Sequence, residues 1–233
     1  STKSKGPKHY SLNPTLHIYN AMIESLGDIS GKRVLECGCG TGWVTFDLAS
    51  RKAILDSFDI SQVAVDRTRN LLEKYELAAN STVRKMSAEF LEYPDESFDI
   101  VIGFAILHHL DLDLAIPGLH RVMKPGGRAL FAEPLGDNPL INLYRRLTPQ
   151  FRTADEAPLR IREFEKRMSL FTNFSHREFY FTTMLAFMLS YIPWAKEHYM
   201  RITNPLMQLD EYLFRLFPAL GNLAWYSIFT FEK

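Results

Sequence analysis

The first 134 residues alternate between two hydrophobic periods. Short apolar runs of the kind found in β-strands are separated by stretches whose apolar residues recur at helical spacing. This alternation is typical of βαβ units and predicts a parallel sheet with helices on its faces. The expected strands are Arg33–Cys37, Ala53–Ile60, Thr82–Met86, Phe98–Phe104 and Arg128–Ala132, and the expected helices are Trp43–Ser50, Gln62–Leu77 and Leu112–Met123.

The second half of the chain follows a different pattern that is rich in aromatic residues. Residues 151–233 hold 18 of the 30 aromatic side chains. Helices are expected over Arg160–Arg167 and Pro205–Leu216, and the last two strands over Phe179–Met188 and Trp225–Phe231. The aromatic residues either fill a core beneath a lid or wall a pocket for an apolar substrate.

No linker separates the two halves, so we expect one domain over residues 1–233. Its expected parts are an N-terminal segment (1–31), a core of alternating strands and helices (32–134) and the more aromatic remainder (135–233). A chain of 233 residues can bury a sizeable core without a metal or a disulfide.

Charge and cysteine content narrow the function classes. The 27 basic and 27 acidic residues balance, which removes the strong positive field typical of nucleic-acid binders. The only cysteines, Cys37 and Cys39, are too close in sequence for an ordinary disulfide, so a reducing, cytoplasmic setting is expected. The longest apolar stretch is shorter than the roughly 20 residues of a membrane-spanning helix.

A Gly-rich loop carries the most specific chemistry. The segment VLECGCGTG (34–42) takes a strand into three glycines and then into a helix, which aims backbone amides at a nucleotide-like ligand. The dinucleotide fingerprint needs its third glycine where Trp43 stands, which disfavours a nicotinamide cofactor. Glu36 suits a cation or an amine, and Asp59 is placed to accept hydrogen bonds from ribose hydroxyls.

Four segments together resemble the class I S-adenosylmethionine-dependent methyltransferases: residues 34–42, the acid at Asp59, PDESFDIVIGFAILHHL (94–110) and RVMKPGGRALFAEP (121–134). The resemblance implies an α/β fold with a Rossmann-like, doubly wound sheet of seven mostly parallel strands. The last strand would be antiparallel, and a helical, aromatic insertion would form a lid. It also implies S-adenosylmethionine as cofactor and S-adenosylhomocysteine as product. Residues 1–31 would cover the cofactor, residues 32–134 would bind it, and residues 135–233 would form the substrate-side lid and the final strands.

The same resemblance implies a set of cofactor contacts. The family often has Asp-Ala after the third strand, whereas this chain has Ser87-Ala88-Glu89, so either Ser87 or Glu89 would meet the adenine amino group. The expected cofactor-binding residues are Tyr10, Glu36, Cys37, Gly38, Gly40, Gly42, Asp59, Ile60, Ser87, Ala88, Glu89 and Phe104.

Candidate catalytic residues follow the fourth and fifth strands. His108 and His109 could take a proton from the acceptor because histidine titrates near neutral pH, although both could also be scaffold residues. Glu133 opens onto the same edge of the sheet. The candidate substrate-binding residues are Arg145, Arg152, His176 and Tyr180, where an arginine would hold a carboxylate or a phosphate. No metal site is expected.

These patterns favour methyl transfer to a small molecule, with oxygen as the preferred acceptor atom. The acceptor would be partly aromatic or lipid-like and would carry an anionic group. Carbon and nitrogen acceptors, cofactor binding without methyl transfer, and a disfavoured NAD(P)-dependent oxidoreductase remain open. The protein is expected to be a monomer or a homodimer, to bind no nucleic acid and to have no membrane span.

Overall fold

An open sheet flanked by helices forms the described part of the molecule, which in this computed structural model is residues 15–151, 156–189 and 199–233. The strands are β1 (Arg33–Cys37), β2 (Ile54–Asp59), β3 (Ser81–Lys85), β4 (Phe98–Phe104), β5 (Met123–Pro134), β6 (Thr172–Phe179) and β7 (Tyr226–Glu232). The helices are α1 (Thr15–Leu26), α2 (Trp43–Ser50), α3 (Gln62–Lys74), α4 (Leu112–Val122), α5 (Pro139–Leu147), α6 (Ile161–Arg167), α7 (Thr183–Leu189) and α8 (Tyr199–Leu216).

The strands lie in the order β3-β2-β1-β4-β5-β7-β6. The pairs from β3 to β5 are parallel, and β7 is antiparallel to both of its neighbours, β5 and β6. The predicted Rossmann-like sheet with an antiparallel last strand is therefore confirmed. Because the strand order reverses at β1, the carboxyl ends of β1, β2 and β4 form the crevice in which such sheets bind ligands.

Apolar side chains bury both faces of the sheet. On one face, Phe131 and Phe229 pack with residues of α4 and α6. On the other, Ile102 and Leu130 pack with residues of α1, α2 and α3. Burial on both faces explains why β4 is an almost continuous apolar run. Every helix in the described ranges is too short or too polar to cross a membrane.

The strand predicted over Phe179–Met188 is wrong. The structure ends β6 at Phe179 and begins α7 four residues later. Tyr180 has a φ of 67°, which interrupts the extended backbone. The buried Asp210 carboxylate then accepts hydrogen bonds from the amides of Thr182 and Thr183, where a negative charge stabilises the start of a helix.

Other predicted boundaries need smaller corrections. Helix α3 ends at Lys74, because Glu76 has a φ of 57°. Strand β5 begins at Met123, five residues earlier than predicted, and its pairing with β4 shifts register at this irregular start. The boundaries of β1, α2 and β4 are as predicted. The single domain over 1–233 stays a prediction, since residues 1–14, 152–155 and 190–198 lie outside the described ranges.

Candidate functional site

The Gly-rich loop joins the end of β1 to the start of α2. Gly38, Gly40 and Gly42 have φ angles of 77°, 50° and 84°, a region that glycine enters without strain. The amides of Gly38 and Cys39 both donate to the Phe58 carbonyl at 2.9 Å, which ties the loop to β2. A Cβ at Gly42 would lie 2.8 Å from the Thr68 hydroxyl, so this glycine also lets α3 approach the loop.

Asp59 holds the loop from the carboxyl end of β2. Its Oδ2 accepts from the Gly40 amide at 2.9 Å, and its Oδ1 accepts from the Ser61 amide at 2.9 Å. A carboxylate offers about four lone pairs, so the group keeps capacity for further donors. The structure therefore places Asp59 beside the glycines, which is the position that its expected role as acceptor for ribose hydroxyls requires.

Glu36 is a buried carboxylate with one oxygen unused. It is 1% exposed, and its Oε2 accepts from Thr45 Oγ1 at 2.7 Å and from Ser57 Oγ at 2.6 Å. Its Oε1 is buried and has no hydrogen-bond partner among the described residues. Burial raises the pKa of Glu36 to about 7. Such an oxygen gains most from a cationic donor.

Sequence reasoning missed Thr45 and Ser57 as partners of Glu36. Ser57 stands directly opposite Glu36 in the β1–β2 register, and Thr45 is fully buried on α2. The available indication was Thr45 itself, because a polar residue on the inward face of a short apolar helix needs a buried hydrogen-bond partner. Cys37, by contrast, is a packing residue that is 1% exposed, and burial raises the pKa of its thiol.

The residues expected near adenine follow β2 and β3. Ile60 is 72% exposed at the end of β2, which leaves an apolar surface open. Ser87 Oγ donates to Glu89 Oε2 at 3.2 Å, while Glu89 Oε1 accepts from the Asp111 amide at 2.9 Å. Ala88 is buried. The structure thus joins Ser87 and Glu89 in one network that links the loops after β3 and β4.

An aromatic cluster lies beside the Gly-rich loop. The Trp43 ring centroid lies 4.4 Å from that of Tyr19 and 5.5 Å from that of Phe104. The Tyr19 hydroxyl donates to Asp47 Oδ2 at 2.6 Å, and burial raises the pKa of Tyr19. Phe104 is a predicted cofactor contact, and the sequence analysis did not identify its aromatic neighbours Tyr19 and Trp43. The position of Trp43 directly after Gly42 could have indicated it.

Glu133 organises the loop that follows β4. It is fully buried, and its Oε1 accepts from the amides of Ile106 and Leu107 at 2.9 and 2.8 Å. Its Oε2 lies 2.7 Å from Nδ1 of His108, which is 6% exposed. A carboxylate on Nδ1 fixes the orientation of an imidazole ring. The structure thus brings two predicted catalytic residues, Glu133 and His108, into direct contact.

His109 completes this loop. Its ring centroid lies 4.1 Å from that of His108, and its backbone amide donates to the Ile106 carbonyl at 3.0 Å. The side chain is partly exposed, unlike that of His108. A φ of 55° at Ala105 turns the chain sharply between β4 and the two histidines. His109 is therefore the more accessible of the two rings.

The predicted substrate residues lie on separate elements. Arg145 on α5 donates to the Leu135 carbonyl and to Asn142 Oδ1, both at 3.0 Å, so its guanidinium supports the local fold. His176 contacts Glu178 on β6, the outer strand, and this hydrogen bond raises the pKa of His176. Tyr180 is 3% exposed and lines a pocket between α1, β6 and α8. The three residues thus lie on different elements, and their roles at the substrate stay predictions.

Two predicted contacts fall on undescribed residues. Tyr10, expected at the methionine end of the cofactor, and Arg152, expected at the substrate, lie outside the described ranges. Both stay predictions.

Residues 34–127 match the family model of a methyltransferase domain. A ubiquinone/menaquinone biosynthesis C-methyltransferase UbiE from Cellvibrio japonicus is 36% identical over 117 residues, which cover 48% of this chain and 46% of that protein. A ubiquinone biosynthesis O-methyltransferase from Alkalilimnicola ehrlichii is 31% identical over 144 residues, which cover 61% and 56%. The chain therefore spans only about half the length of the curated relatives that it matches.

The fold is also that of solved methyltransferases. Phosphoethanolamine N-methyltransferase 2 from Haemonchus contortus, in complex with S-adenosyl-L-methionine, superposes with a TM-score of 0.68 at 18% identity, covering 93% of this chain and 52% of the other. The fold, the Gly-rich loop and the matched residues together define a class I S-adenosylmethionine-dependent methyltransferase domain. The predicted family and its cofactor class are thereby confirmed.

The residues at the crevice fit that cofactor. The unused buried Oε1 of Glu36 suits its positively charged amine, and Asp59 has free lone pairs for its ribose. A Cβ added at Gly40 would meet no atom within 4 Å, so the backbone there is open to a ligand.

Proposed function

We propose that this protein transfers a methyl group from S-adenosylmethionine to a ring carbon of a small, apolar, phenolic acceptor. The supporting observation is the buried pair in which His108 Nδ1 lies 2.7 Å from Glu133 Oε2, at the carboxyl edge of β4 and β5. In this proposal His108 is the general base, and Glu133 is the residue that positions it.

A phenolic acceptor needs a base before it becomes a good nucleophile. Its hydroxyl has a pKa near 10, whereas histidine titrates at about 6.5, so a held imidazole can accept the proton as charge develops. With Glu133 on Nδ1, the lone pair of His108 Nε2 receives the proton from the hydroxyl oxygen. The carboxylate then stabilises the imidazolium. The resulting phenolate is electron-rich at oxygen and at ring carbons. A ring carbon that gains the methyl group loses its hydrogen as a proton to the solvent, which restores the aromatic ring, and the imidazolium of His108 returns its proton to the phenol oxygen.

When bound, S-adenosylmethionine supplies an electrophilic methyl group with a neutral leaving group. Glu36 would accept hydrogen bonds from its amine, Asp59 would bind its ribose hydroxyls, and Ile60 would cover its adenine. Ser87 or Glu89 would accept from the adenine amino group. These residues would hold the cofactor, and the loop that Glu133 orders would face its reactive end.

Two curated relatives favour different acceptor atoms. The UbiE-type protein at 36% identity is named a C-methyltransferase, which favours a ring carbon. The O-methyltransferase relative aligns over a larger share of this chain, 61%, which keeps oxygen as the second candidate. Both names belong to quinone biosynthesis, so both support an apolar aromatic acceptor. Proton removal by His108 serves either atom.

The proposal also covers setting and partners. A net charge of zero supports a small-molecule acceptor over a nucleic acid. The two cysteines are both free and buried, which supports a cytoplasmic location. We propose that the protein acts as a monomer or a homodimer.

The test is an assay of the purified full chain with S-adenosylmethionine and a panel of phenols and hydroquinones with alkyl tails. S-adenosylhomocysteine release measures turnover, and NMR of the product locates the new methyl group. A methyl group on a ring carbon supports the proposal, and one on oxygen supports the second candidate. Tight cofactor binding without turnover on any phenol would refute both and favour the binding-only alternative.

Two histidine variants separate the roles within the loop. His108→Ala is expected to lower kcat by about 10²–10⁴-fold while the cofactor Kd stays unchanged. His109→Ala is the matched control. The His109 ring lies beside that of His108, and the 2.7 Å contact with Glu133 belongs to His108. Equal losses in both variants, or a larger loss for His109→Ala, would move the base to His109.

A further inference from the structure

The aromatic cluster of Tyr19, Trp43 and Phe104 joins three elements around the Gly-rich loop. Tyr19 lies on α1, Trp43 is the first residue of α2, and Phe104 is the last residue of β4. The ring centroids of the three pairs lie 4.4, 5.5 and 6.4 Å apart, and the ring planes cross at 68–74°. These three rings are therefore not stacked face to face on one another. The face of an aromatic ring carries the negative part of its quadrupole and attracts cations.

Trp43 and Phe104 form the accessible part of this cluster. Both residues are partly exposed, whereas Tyr19 is only 4% exposed. The Tyr19 hydroxyl donates to Asp47 Oδ2 at 2.6 Å, and the same carboxylate oxygen lies 2.7 Å from Nε of Arg51. This anchor ties α1 to α2. A ligand in the crevice therefore has access to the rings of Trp43 and Phe104, which Tyr19 supports from the interior.

Phe104 lies between the residue proposed for the cofactor amine and the loop proposed for catalysis. In the β1–β4 register, Glu36 pairs with Ile102, two residues before Phe104. Directly after Phe104, the chain turns at Ala105 into the loop that carries His108. A cofactor whose amine meets Glu36 and whose methyl group faces His108 would have its sulfonium between them, at the end of β4.

The electrostatics of Tyr19 place Glu36 near the same rings. Burial is the largest cause that raises the pKa of the Tyr19 hydroxyl, and the contact with Asp47 and the charge of Glu36 add to it. Trp43 follows Gly42 directly, so its ring leaves the backbone at the Gly-rich loop itself. The rings and the carboxylate of Glu36 thus border the same part of the crevice.

We propose that Trp43 and Phe104, supported by Tyr19, recognise the positive charge of the sulfonium and so distinguish S-adenosylmethionine from S-adenosylhomocysteine. This inference rests on the cofactor placement proposed above. Methyl transfer leaves the electrons of the broken carbon–sulfur bond on sulfur, so the product is a neutral thioether that the ring faces no longer attract. Glu36 and Asp59 do not make this distinction, because both ligands carry the amine and the ribose. The rings therefore favour binding of the cofactor over retention of the product.

The experiment is calorimetric titration of the purified full chain with each ligand at about pH 8, where Glu36 is mostly ionised. The measured quantity is the ratio of the two dissociation constants. Trp43→Leu and Phe104→Leu are each expected to weaken binding of S-adenosylmethionine by about 3- to 20-fold relative to S-adenosylhomocysteine, because leucine is apolar but has no π face. Trp43→Phe restores a ring and is expected to recover part of the ratio.

Tyr75→Leu is the matched control. Its ring packs against Phe46 of the same helix α2, with centroids 5.0 Å apart. Tyr75 directly follows the last residue of α3, and α3 begins after the carboxyl end of β2, so Tyr75 lies at the end of α3 that is remote from the crevice. We expect Tyr75→Leu to keep the wild-type ratio of dissociation constants.

The ratio decides between recognition of charge and simple packing. Equal losses of affinity for both ligands in Trp43→Leu and Phe104→Leu, or unchanged ratios in both, would overturn the proposal. Retained binding of S-adenosylhomocysteine shows that a variant is folded, and each of the two leucine variants tests the proposal if the other does not fold.

Asp59→Ala separates this result from the placement of the cofactor. It is expected to weaken both ligands by the same factor, because both carry the ribose. If Asp59→Ala leaves both affinities unchanged, the proposed placement is wrong and this inference falls with it. None of these titrations contains a methyl acceptor, so a failure of the proposed methyl transfer would appear only in the turnover assay.

Discussion

Glu133 Oε2 lies 2.7 Å from His108 Nδ1, and the same carboxylate accepts the backbone amides of Ile106 and Leu107. One buried side chain at the end of β5 therefore sets both the path of the loop after β4 and the orientation of an imidazole ring. Its hydrogen bonds satisfy a charge that burial would otherwise make costly. The loop and the ring should respond together when this carboxylate is changed.

Glu133→Gln tests that coupling. The NH₂ group of the glutamine would face a hydrogen-bond donor at a position where a carboxylate oxygen of Glu133 now accepts. We therefore expect a loss of about 1–3 kcal/mol in the free energy of unfolding. We expect kcat to fall by at least about tenfold, because His108 loses the group that orients it. Chemical denaturation and steady-state kinetics measure the two effects, while calorimetry should show little change in cofactor affinity.

Glu178→Gln is the matched control for that variant. Glu178 also contacts a histidine, His176, but on the outer strand of the sheet. We expect kcat to stay unchanged in Glu178→Gln. A fall as large as that in Glu133→Gln would instead support the predicted role of His176 at the substrate.

Glu36 makes the stability of the free protein depend on pH. Its pKa rises from 4.5 to about 7 on folding, so the folded state holds this proton more tightly than the unfolded chain does. The contribution of Glu36 to the free energy of unfolding is therefore most favourable below about pH 4.5. It falls by about 3 kcal/mol as the pH rises through 7. Urea denaturation of the wild type and Glu36→Gln should show a difference in stability that grows in favour of the variant over this range. A constant difference would contradict the raised pKa.

Cofactor affinity should change with pH in the opposite direction. The ionised carboxylate is the form that attracts the amine, and a pKa of about 7 leaves roughly a tenth of it ionised at pH 6. We expect S-adenosylmethionine to bind about tenfold more tightly near pH 8 than near pH 6, with proton release on binding. Calorimetry in two buffers measures both. Glu73→Gln, an exposed change on α3, should keep the dependence.

Asp59→Ala should weaken cofactor binding by about 1–3 kcal/mol, since ribose hydroxyls and the Gly40 amide both lose an acceptor. Isothermal titration calorimetry with S-adenosylhomocysteine measures this change. Asp66→Ala on α3, where the carboxylate accepts from Gln62, is the control with no expected effect. Equal affinities for all three proteins would rule out the ribose assignment.

Two glycine substitutions should change stability with opposite signs. A Cβ at Gly103 in β4 would lie 2.5 Å from the buried Phe131 ring, so Gly103→Ala should cost about 1–3 kcal/mol. Gly118 lies inside α4, and the nearest atom to a Cβ there is 3.8 Å away. Gly118→Ala should therefore stabilise the protein by up to about 1 kcal/mol. Thermal unfolding of the two variants measures these effects. A change in stability of the same sign in both variants would contradict this packing.

Local patterns were sufficient for the first half of the fold. The apolar run of β4 and the glycines after β1 determine their own structures, because burial on two faces and positive φ angles limit the residues allowed. Strand β6 and helix α7 could not be predicted in this way. Helix α7 begins where Asp210 supplies acceptors, and Asp210 is 27 residues from Thr183 along the chain.

The candidate site shows the same division. Glu36 and Asp59 were identified from their positions at strand ends. The partners of Glu36 were not, because Ser57 meets it only through the register between β1 and β2. The Glu133–His108 contact likewise joins the ends of two strands. A sequence motif indicates which residues reach the crevice, whereas strand pairing decides which of them touch.

Strand β7 lies between β5 and β6, and its Glu232 pairs with Arg128, about a hundred positions earlier. During synthesis on the ribosome, β1 to β5 can assemble as they emerge, but β6 has no neighbour until β7 arrives. Closing so large a loop is slow, because its entropy is lost before the contacts form. The nascent chain therefore displays an unpaired β5 edge until β7 has been made.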